Sequence, residues 1–206
     1  MTDPAPIDQF RLVCVRHGEP EQRARGRVYG KLDVGLSLAG REQVRRAVAV
    51  CRAWRPTVVY ASPRTRARQS AEILASALGQ DVTVEAAFAE LDFGRFEGRT
   101  YEEVERDYPD VYRRWMDAPT QVEFPDGESY SQLRARVLAG LKRIRAMHVG
   151  GVVMVVAHGG VIRAVLADAL GLDAAAIFRL DQSYAGVSVV DYRTGFSLLR
   201  TLNVVV

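Results

Sequence analysis

The chain has 206 residues, 48% of them hydrophobic and 26% charged, proportions that exclude low-complexity disorder, collagen-like repeats and disulfide-stapled miniproteins. A chain of this length buries roughly 70% of the surface it exposes when unfolded, enough for a hydrophobic core without staples. Basic and acidic residues nearly balance, 28 against 25, but unevenly along the chain: residues 1–80 hold 14 basic and 7 acidic side chains, and residues 81–128 hold 5 basic and 14 acidic. The basic excess at the start suggests an anionic partner, either a polymer or a small molecule.

In chain order, MTDPAPIDQF contains neither a basic n-region nor an apolar h-region, so no secretion signal is expected. Phe10–Val15 reads as a strand, as do Thr57–Ala61 and Val82–Val84, because β-branched residues gather there between turn signals. Leu38–Arg52, through Val44, Ala47, Val48 and Cys51, and Thr65–Leu78, through Ala71, Ile73, Leu74 and Leu78, show the three-and-four apolar spacing of helices. Ser62-Pro63 looks like an N-cap with proline in the first turn. The acidic segment 81–128, interrupted by Pro109, Pro119 and Pro125, reads as an excursion from the sheet with short helices near Glu102–Tyr108 and Val111–Asp117. Ser129 and Gln132 have capping-box spacing ahead of a helix through Leu133, Val137, Leu141 and Ile144.

The run Gly151–Ala157 is nearly all apolar, as in a parallel strand covered on both faces. The longest apolar run, Gly150 to Ala157, is too short to cross a bilayer. Strands alternating with helices imply an α/β sheet with right-handed crossovers, in one domain spanning 1–206. The two cysteines, Cys14 and Cys51, lie in apolar stretches and form no CxxC pair, which favours a reduced, cytoplasmic protein.

The first strand runs into Arg16-His17-Gly18-Glu19, and the late apolar strand runs into His158-Gly159-Gly160. Ligands bind at the carboxyl ends of strands in open parallel sheets, so the two His-Gly elements are expected to face one crevice. Glycine there lets backbone N–H groups approach an anion, and a following helix points its positive end the same way.

These two elements resemble the histidine phosphatase superfamily, also called phosphoglycerate-mutase-like. Three further blocks extend the resemblance in the family's order: Ser62-Pro63-Arg64-Thr65-Arg66-Ala67, Glu90 to Gly98, and Phe124 to Ser129. The resemblance implies a three-layer α/β/α sandwich with a mostly parallel central sheet, and a covalent phosphoryl transfer with no cofactor. His17 would attack phosphorus and form a phosphohistidine, while Arg16, Arg66 and His158 would surround the phosphoryl oxygens. Glu90 would protonate the leaving alkoxide, a role that requires partial burial or a like-charged neighbour; Asp92 and Glu97 are nearby competitors. Arg66 shares its helix with Arg64 and Arg68, and its place three residues beyond the proline singles it out. Glu128 and Ser129 read as support for a helix start, and His148 as a surface residue at a helix end.

In the Arg23–Gly30 loop, which resembles the family's phosphate-bordering loop, Arg23, Tyr29 and Gly30 are candidate substrate contacts, together with Gly159. Arg23 stands where many members have asparagine, which leaves either phosphate contact or a solvent position open to it. The mutases of the family carry Glu-Arg-His-Tyr-Gly and a following lysine, whereas this chain has Glu90-Leu91-Asp92-Phe93-Gly94 and Tyr101. The expectation is therefore a phosphatase of a small-molecule phosphate ester, with a phosphoglycerate mutase or a noncatalytic phosphate-binding domain as alternatives. No nucleic-acid reader motif is present, membrane partners are not expected, and a homodimer remains open. Three histidines, with no H-E-x-x-H and no Asp-rich cluster, do not make a metal site.

Overall fold

The computed structural model describes residues 10–206. The preceding residues, most of the stretch read above for a leader, lie outside the described residues. Strands Phe10–Arg16 (β1), Val58–Ala61 (β2), Val82–Val84 (β3), Val152–Ala157 (β4), Val187–Arg193 (β5) and Phe196–Val204 (β6) form one sheet in the order β3-β2-β4-β1-β5-β6. Neighbours from β3 to β1 are parallel, and β5 runs antiparallel to both β1 and β6. The helices are Leu38–Ala53 (α1), Thr65–Leu78 (α2), Tyr101–Asp107 (α3), Pro109–Asp117 (α4), Tyr130–Met147 (α5) and Gly159–Leu170 (α6).

Alternation along the central strands sorts side chains to two faces. Leu12, Cys14, Val153 and Val155 join Leu133, Val137 and Ile144 of α5 and Ile162 and Val165 of α6. Val13, Val15, Met154 and Val156 join Val44 and Cys51 of α1 and Ala71 and Leu74 of α2. Two helical layers therefore enclose the sheet, and β4 is covered on both faces as its composition predicts. Each such valine or leucine contributes about 1.5–3 kcal/mol by leaving water. Both cysteines are buried and free.

The acidic excursion has a small core of its own. Val28, Phe96, Val104, Val122 and Phe124 pack with Phe93, Tyr108 and Trp115. The Thr100–Glu103 capping box starts α3, and Pro109 in the first turn starts α4 two residues earlier than expected, where its missing N–H costs nothing.

One expectation needs correction. Ser62-Pro63 does not open α2: the helix begins at Thr65, and its end is held by Asp33, which accepts from the Thr65 N–H and hydroxyl at 2.7 Å each. The Ser62 hydroxyl is engaged elsewhere, as described below. The hairpin β5–β6 was not anticipated at all; β6 is an edge strand whose residues alternate between exposed and partly covered.

Register positions the site. Arg16 of β1 pairs with Ala157 of β4, and the His17 N–H donates to the Ala157 carbonyl at 2.9 Å. The next residue on each strand is a histidine, so parallel pairing alone sets His17 beside His158.

Candidate active site

The two imidazoles meet edge to face, with centroids 5.1 Å apart. Both are buried, at 2% and 0% exposure. His17 Nδ1 lies 2.7 Å from its neighbour's carbonyl, Gly18 O. A carbonyl only accepts, so Nδ1 carries the hydrogen and Nε2 keeps the lone pair. His158 Nε2 lies 2.7 Å from Ser62 Oγ, which also accepts the Arg64 N–H at 3.3 Å. When Ser62 O–H donates to His158 Nε2, the serine hydrogen and that ring nitrogen are both satisfied. That tautomer places a hydrogen on His158 Nδ1, a buried atom with no partner among the described residues.

Burial, followed by the charges of Arg66 and Arg16, drives His17 well below the ordinary imidazole range. Burial, then Arg66 and His17, does the same to His158. Both rings are therefore neutral near pH 7, the state in which a nitrogen lone pair is available as a nucleophile.

The arginines are fixed by backbone carbonyls. Arg66, fully buried, donates to Leu32 O at 3.0 Å and Gly30 O at 2.9 Å, and its guanidinium lies over the Tyr29 ring. Arg16 donates to Gln182 O at 2.5 Å and stacks 4.2 Å from the centre of the Tyr184 ring. The Nε atoms of Arg16, Arg64 and Arg66 are buried without partners among the described residues, like His158 Nδ1. Those of Arg16, Arg66 and His158 belong to side chains grouped with His17, a cradle that could take an anion with several oxygens, since buried donors are costly unless an acceptor reaches them.

Glu90 stands at the rim, half-buried. Its Oε2 accepts the Gly160 N–H at 3.2 Å and its Oε1 accepts the Leu91 N–H at 2.9 Å. Glycine at 160 leaves room for this carboxylate: a Cβ there would sit 2.5 Å from Glu90 Oε1. Arg16 and Glu90 both open onto a cavity of about 290 Å³, whose lining includes Tyr29, Tyr101, Trp115 and Arg163. Among the described residues, no cluster of three or more His, Cys, Asp or Glu side chains could hold a metal ion.

Residues 12–205 match the histidine phosphatase superfamily (branch 1). The chain belongs to this superfamily. It is 32% identical to phosphoserine phosphatase 1 of Hydrogenobacter thermophilus over 94% of this chain and 92% of that one. It is 35% identical to phosphoglycerate mutase-like protein 4 of Arabidopsis thaliana over 78% and 71% of the two chains. The solved structure of a mycobacterial glucosyl-3-phosphoglycerate phosphatase superposes with a TM-score of 0.84 at 28% identity, over 94% of this chain and 98% of that one.

Not every residue singled out from the sequence joins this histidine phosphatase pocket. Arg23 takes the solvent position: its side chain is 61% exposed and engaged by Glu21 at 2.9 Å and by the Asp33 carbonyl at 2.8 Å. Gly30 contributes through other groups, because its N–H is taken by Glu97 and its carbonyl by Arg66. A side chain at Gly30 would collide with the Leu91 carbonyl. Tyr29 and Gly159 do line the cavity. His148 is not simply a surface residue, for its Nε2 meets the Tyr60 hydroxyl at 2.9 Å.

Glu97, weighed as a competitor of Glu90, has a positioning role. Its carboxylate accepts the N–H groups of Gly30, Lys31, Leu32 and Phe93, holding the loop whose carbonyls hold Arg66. Glu128, expected to support a helix start, forms a two-pronged pair with Arg136 at 2.6 and 2.7 Å. Arg136 in turn donates to the carbonyls of Ala87, Ala89 and Glu90, fixing the backbone that carries Glu90. Sequence reading missed Arg136, Gln182, Tyr184 and Arg163 as parts of the site. No motif marks the first three; Arg163, one turn into α6 from Gly159, could have been found from helical spacing.

Proposed function

We propose that this protein is a phosphatase that hydrolyses a small-molecule phosphomonoester through a phosphohistidine at His17. The supporting observation is the cradle itself, a neutral His17 with a free Nε2 lone pair among unpaired nitrogens of Arg16, Arg66 and His158. Nε2 attacks phosphorus, the bond to the ester oxygen breaks, and Glu90 gives its proton to the departing alkoxide. Glu90 then takes a proton from water, whose oxygen attacks phosphorus. The P–N bond breaks, phosphate leaves and His17 is restored. The guanidinium and imidazole donors stabilise charge on the phosphoryl oxygens in both steps.

Hydrolysis is favoured over mutase action because Leu91 and Tyr101, which stand where the mutases place substrate-side cations, line the cavity with uncharged side chains. A mutase must retain a bisphosphorylated intermediate, and these two positions offer it no cation. The names of the relatives include phosphatases acting on phosphoserine and on glucosyl-3-phosphoglycerate, which supports the reaction type. A cytoplasmic setting fits two buried free thiols, and among the described residues no helix is long and apolar enough to cross a membrane.

The deciding experiment supplies 3-phosphoglycerate and a panel of phosphorylated metabolites to the purified protein. Phosphate release is expected to exceed formation of 2-phosphoglycerate by a wide margin. Dominant isomerisation would establish a mutase, and saturable binding without release from any ester would favour a noncatalytic domain. A second expectation concerns Gly160→Ala. The added methyl displaces the Glu90 carboxylate, the mobile end of a side chain, and leaves the backbone intact. The variant should keep its melting temperature and lose about 10²-fold in kcat, the usual loss when a general acid is removed or misplaced. Full activity in this variant would exclude Glu90 as the acid.

A further inference from the structure

The cavity beside the histidine pair is lined mainly by aromatic rings and guanidinium groups. Tyr29, Phe93, Tyr101, Trp115, Tyr130 and Phe178 supply the rings, and those of Tyr101 and Trp115 are stacked, 5.6 Å apart and 18° from parallel. The charged lining residues are Arg16, Arg27, Arg163 and Glu90. Arg16 belongs to the phosphoryl cradle. Arg27 is tied to the Gly98 carbonyl at 2.7 Å and lies 3.9 Å from Glu103.

Arg163 differs from both. Its Nε donates to Leu180 O at 2.9 Å, and among the described residues no carboxylate lies within ion-pair distance of it. A Cβ added at Gly159 would lie 3.0 Å from Arg163 Nη1 and 3.8 Å from Arg16 Nε, so the outer fork of Arg163 stands next to the cradle on its cavity side. Burial, followed by the charge of Arg16, outweighs the opposing charges of Glu90 and Asp181 and pulls this guanidinium below its ordinary value. A partly buried cation beside another cation gains most from an added anion, and the planar fork matches a carboxylate. Glu90 is the single acidic residue of the lining, and it is committed to the Gly160 and Leu91 N–H groups. A substrate ammonium would meet three guanidiniums and find no free carboxylate.

Resting on the phosphatase reading above, we propose that Arg163 binds a carboxylate on the organic portion of the substrate. The substrates are then phosphate esters of apolar or aromatic hydroxy acids that carry no ammonium group. The aromatic wall receives the flat or apolar body, Arg163 the carboxylate, and the histidine cradle the phosphoryl group. One anion beyond the phosphoryl group suffices, which is consistent with Leu91 and Tyr101 in place of the mutase cations.

The test compares kcat/KM for phenyl phosphate, 3- and 4-carboxyphenyl phosphate and 4-(aminomethyl)phenyl phosphate in the wild type, Arg163→Gln and Arg163→Lys. Comparing each ester between proteins cancels differences in leaving-group chemistry. The wild type should prefer the better carboxylated ester over the aminomethyl ester by at least about tenfold, the worth of one charge-assisted contact. Arg163→Gln should bring that ratio to within about twofold, and Arg163→Lys should restore part of it. Melting curves of both variants check that loss of the bond to Leu180 has not unfolded them; the wild-type preference is informative without either variant. A wild type indifferent to the carboxylate, or an unchanged ratio in Arg163→Gln, would overturn the proposal. An equal loss for all esters would do so too, by placing Arg163 on the phosphoryl group. Failure of the wild type to hydrolyse any ester, phenyl phosphate included, would bring down the phosphatase reading on which this proposal stands.

Discussion

His17→Ala should lose at least about 10³-fold in kcat for p-nitrophenyl phosphate, the scale seen when a covalent nucleophile is removed. The residual rate would come from the donors of Arg16, Arg66 and His158, which still stabilise charge during direct attack by water. The substitution should leave the circular dichroism spectrum unchanged. Among the described residues the His17 side chain hydrogen-bonds only to the carbonyl of the next residue, and β1 is held by its backbone pairing with β4 and β5. Brief exposure to labelled substrate should leave an acid-labile, alkali-stable label on the wild type and none on the variant, as a phosphorus–nitrogen bond requires. Undiminished turnover in His17→Ala would falsify the covalent mechanism.

Asp191→Ala should be the most damaging single change to stability away from the pocket. Arg11 and Asp191 face each other across β1 and β5, both about 2% exposed, with two short bonds of 2.5 and 2.7 Å. The Arg11 guanidinium also lies 4.9 Å from the centre of the Trp54 ring. Removing the carboxylate leaves a buried cation without its partner, a change that costs about 3–5 kcal/mol. For a domain of this size the melting temperature should fall by roughly 6–20 °C. The double replacement Arg11→Met/Asp191→Leu should recover most of the loss, because it removes both desolvated charges and keeps apolar volume. Urea titrations of the two variants measure this directly. A loss under about 1 kcal/mol for Asp191→Ala would mean that the pair behaves as a solvated surface bridge.

The parts of this protein legible in its sequence are those decided within a few residues. β-branched runs marked β1 to β4, apolar spacing marked α1, α2 and α5, and the His-Gly elements stood where strands end. An α/β sheet with right-handed crossovers then followed from alternation. The errors came where a local signal had a distant competitor. Ser62 looks like a cap until His158, 96 residues away, claims its hydroxyl. The end of α2 is served by Asp33, 32 residues earlier in the chain. Arg23, left open between phosphate and solvent by its loop, turns outward, where the Asp33 carbonyl ten residues on and Glu21 engage its guanidinium.

The sequence by itself therefore determined the chemical parts, two histidines, two arginines and a glutamate in a recognisable order, and the strand ends that carry the histidines. Tertiary structure decided how those parts are held and which other groups enter the cavity. Glu97 reaches back across 67 residues to the Gly30 N–H, Arg136 reaches 46 residues to the Glu90 carbonyl, and Arg163 comes to stand beside Arg16. Backbone preference and apolar periodicity act over one or two turns of chain. The pairing of a buried charge or donor is chosen by whichever complementary group the folded topology brings within about 3 Å, and no spacing along the chain encodes that choice.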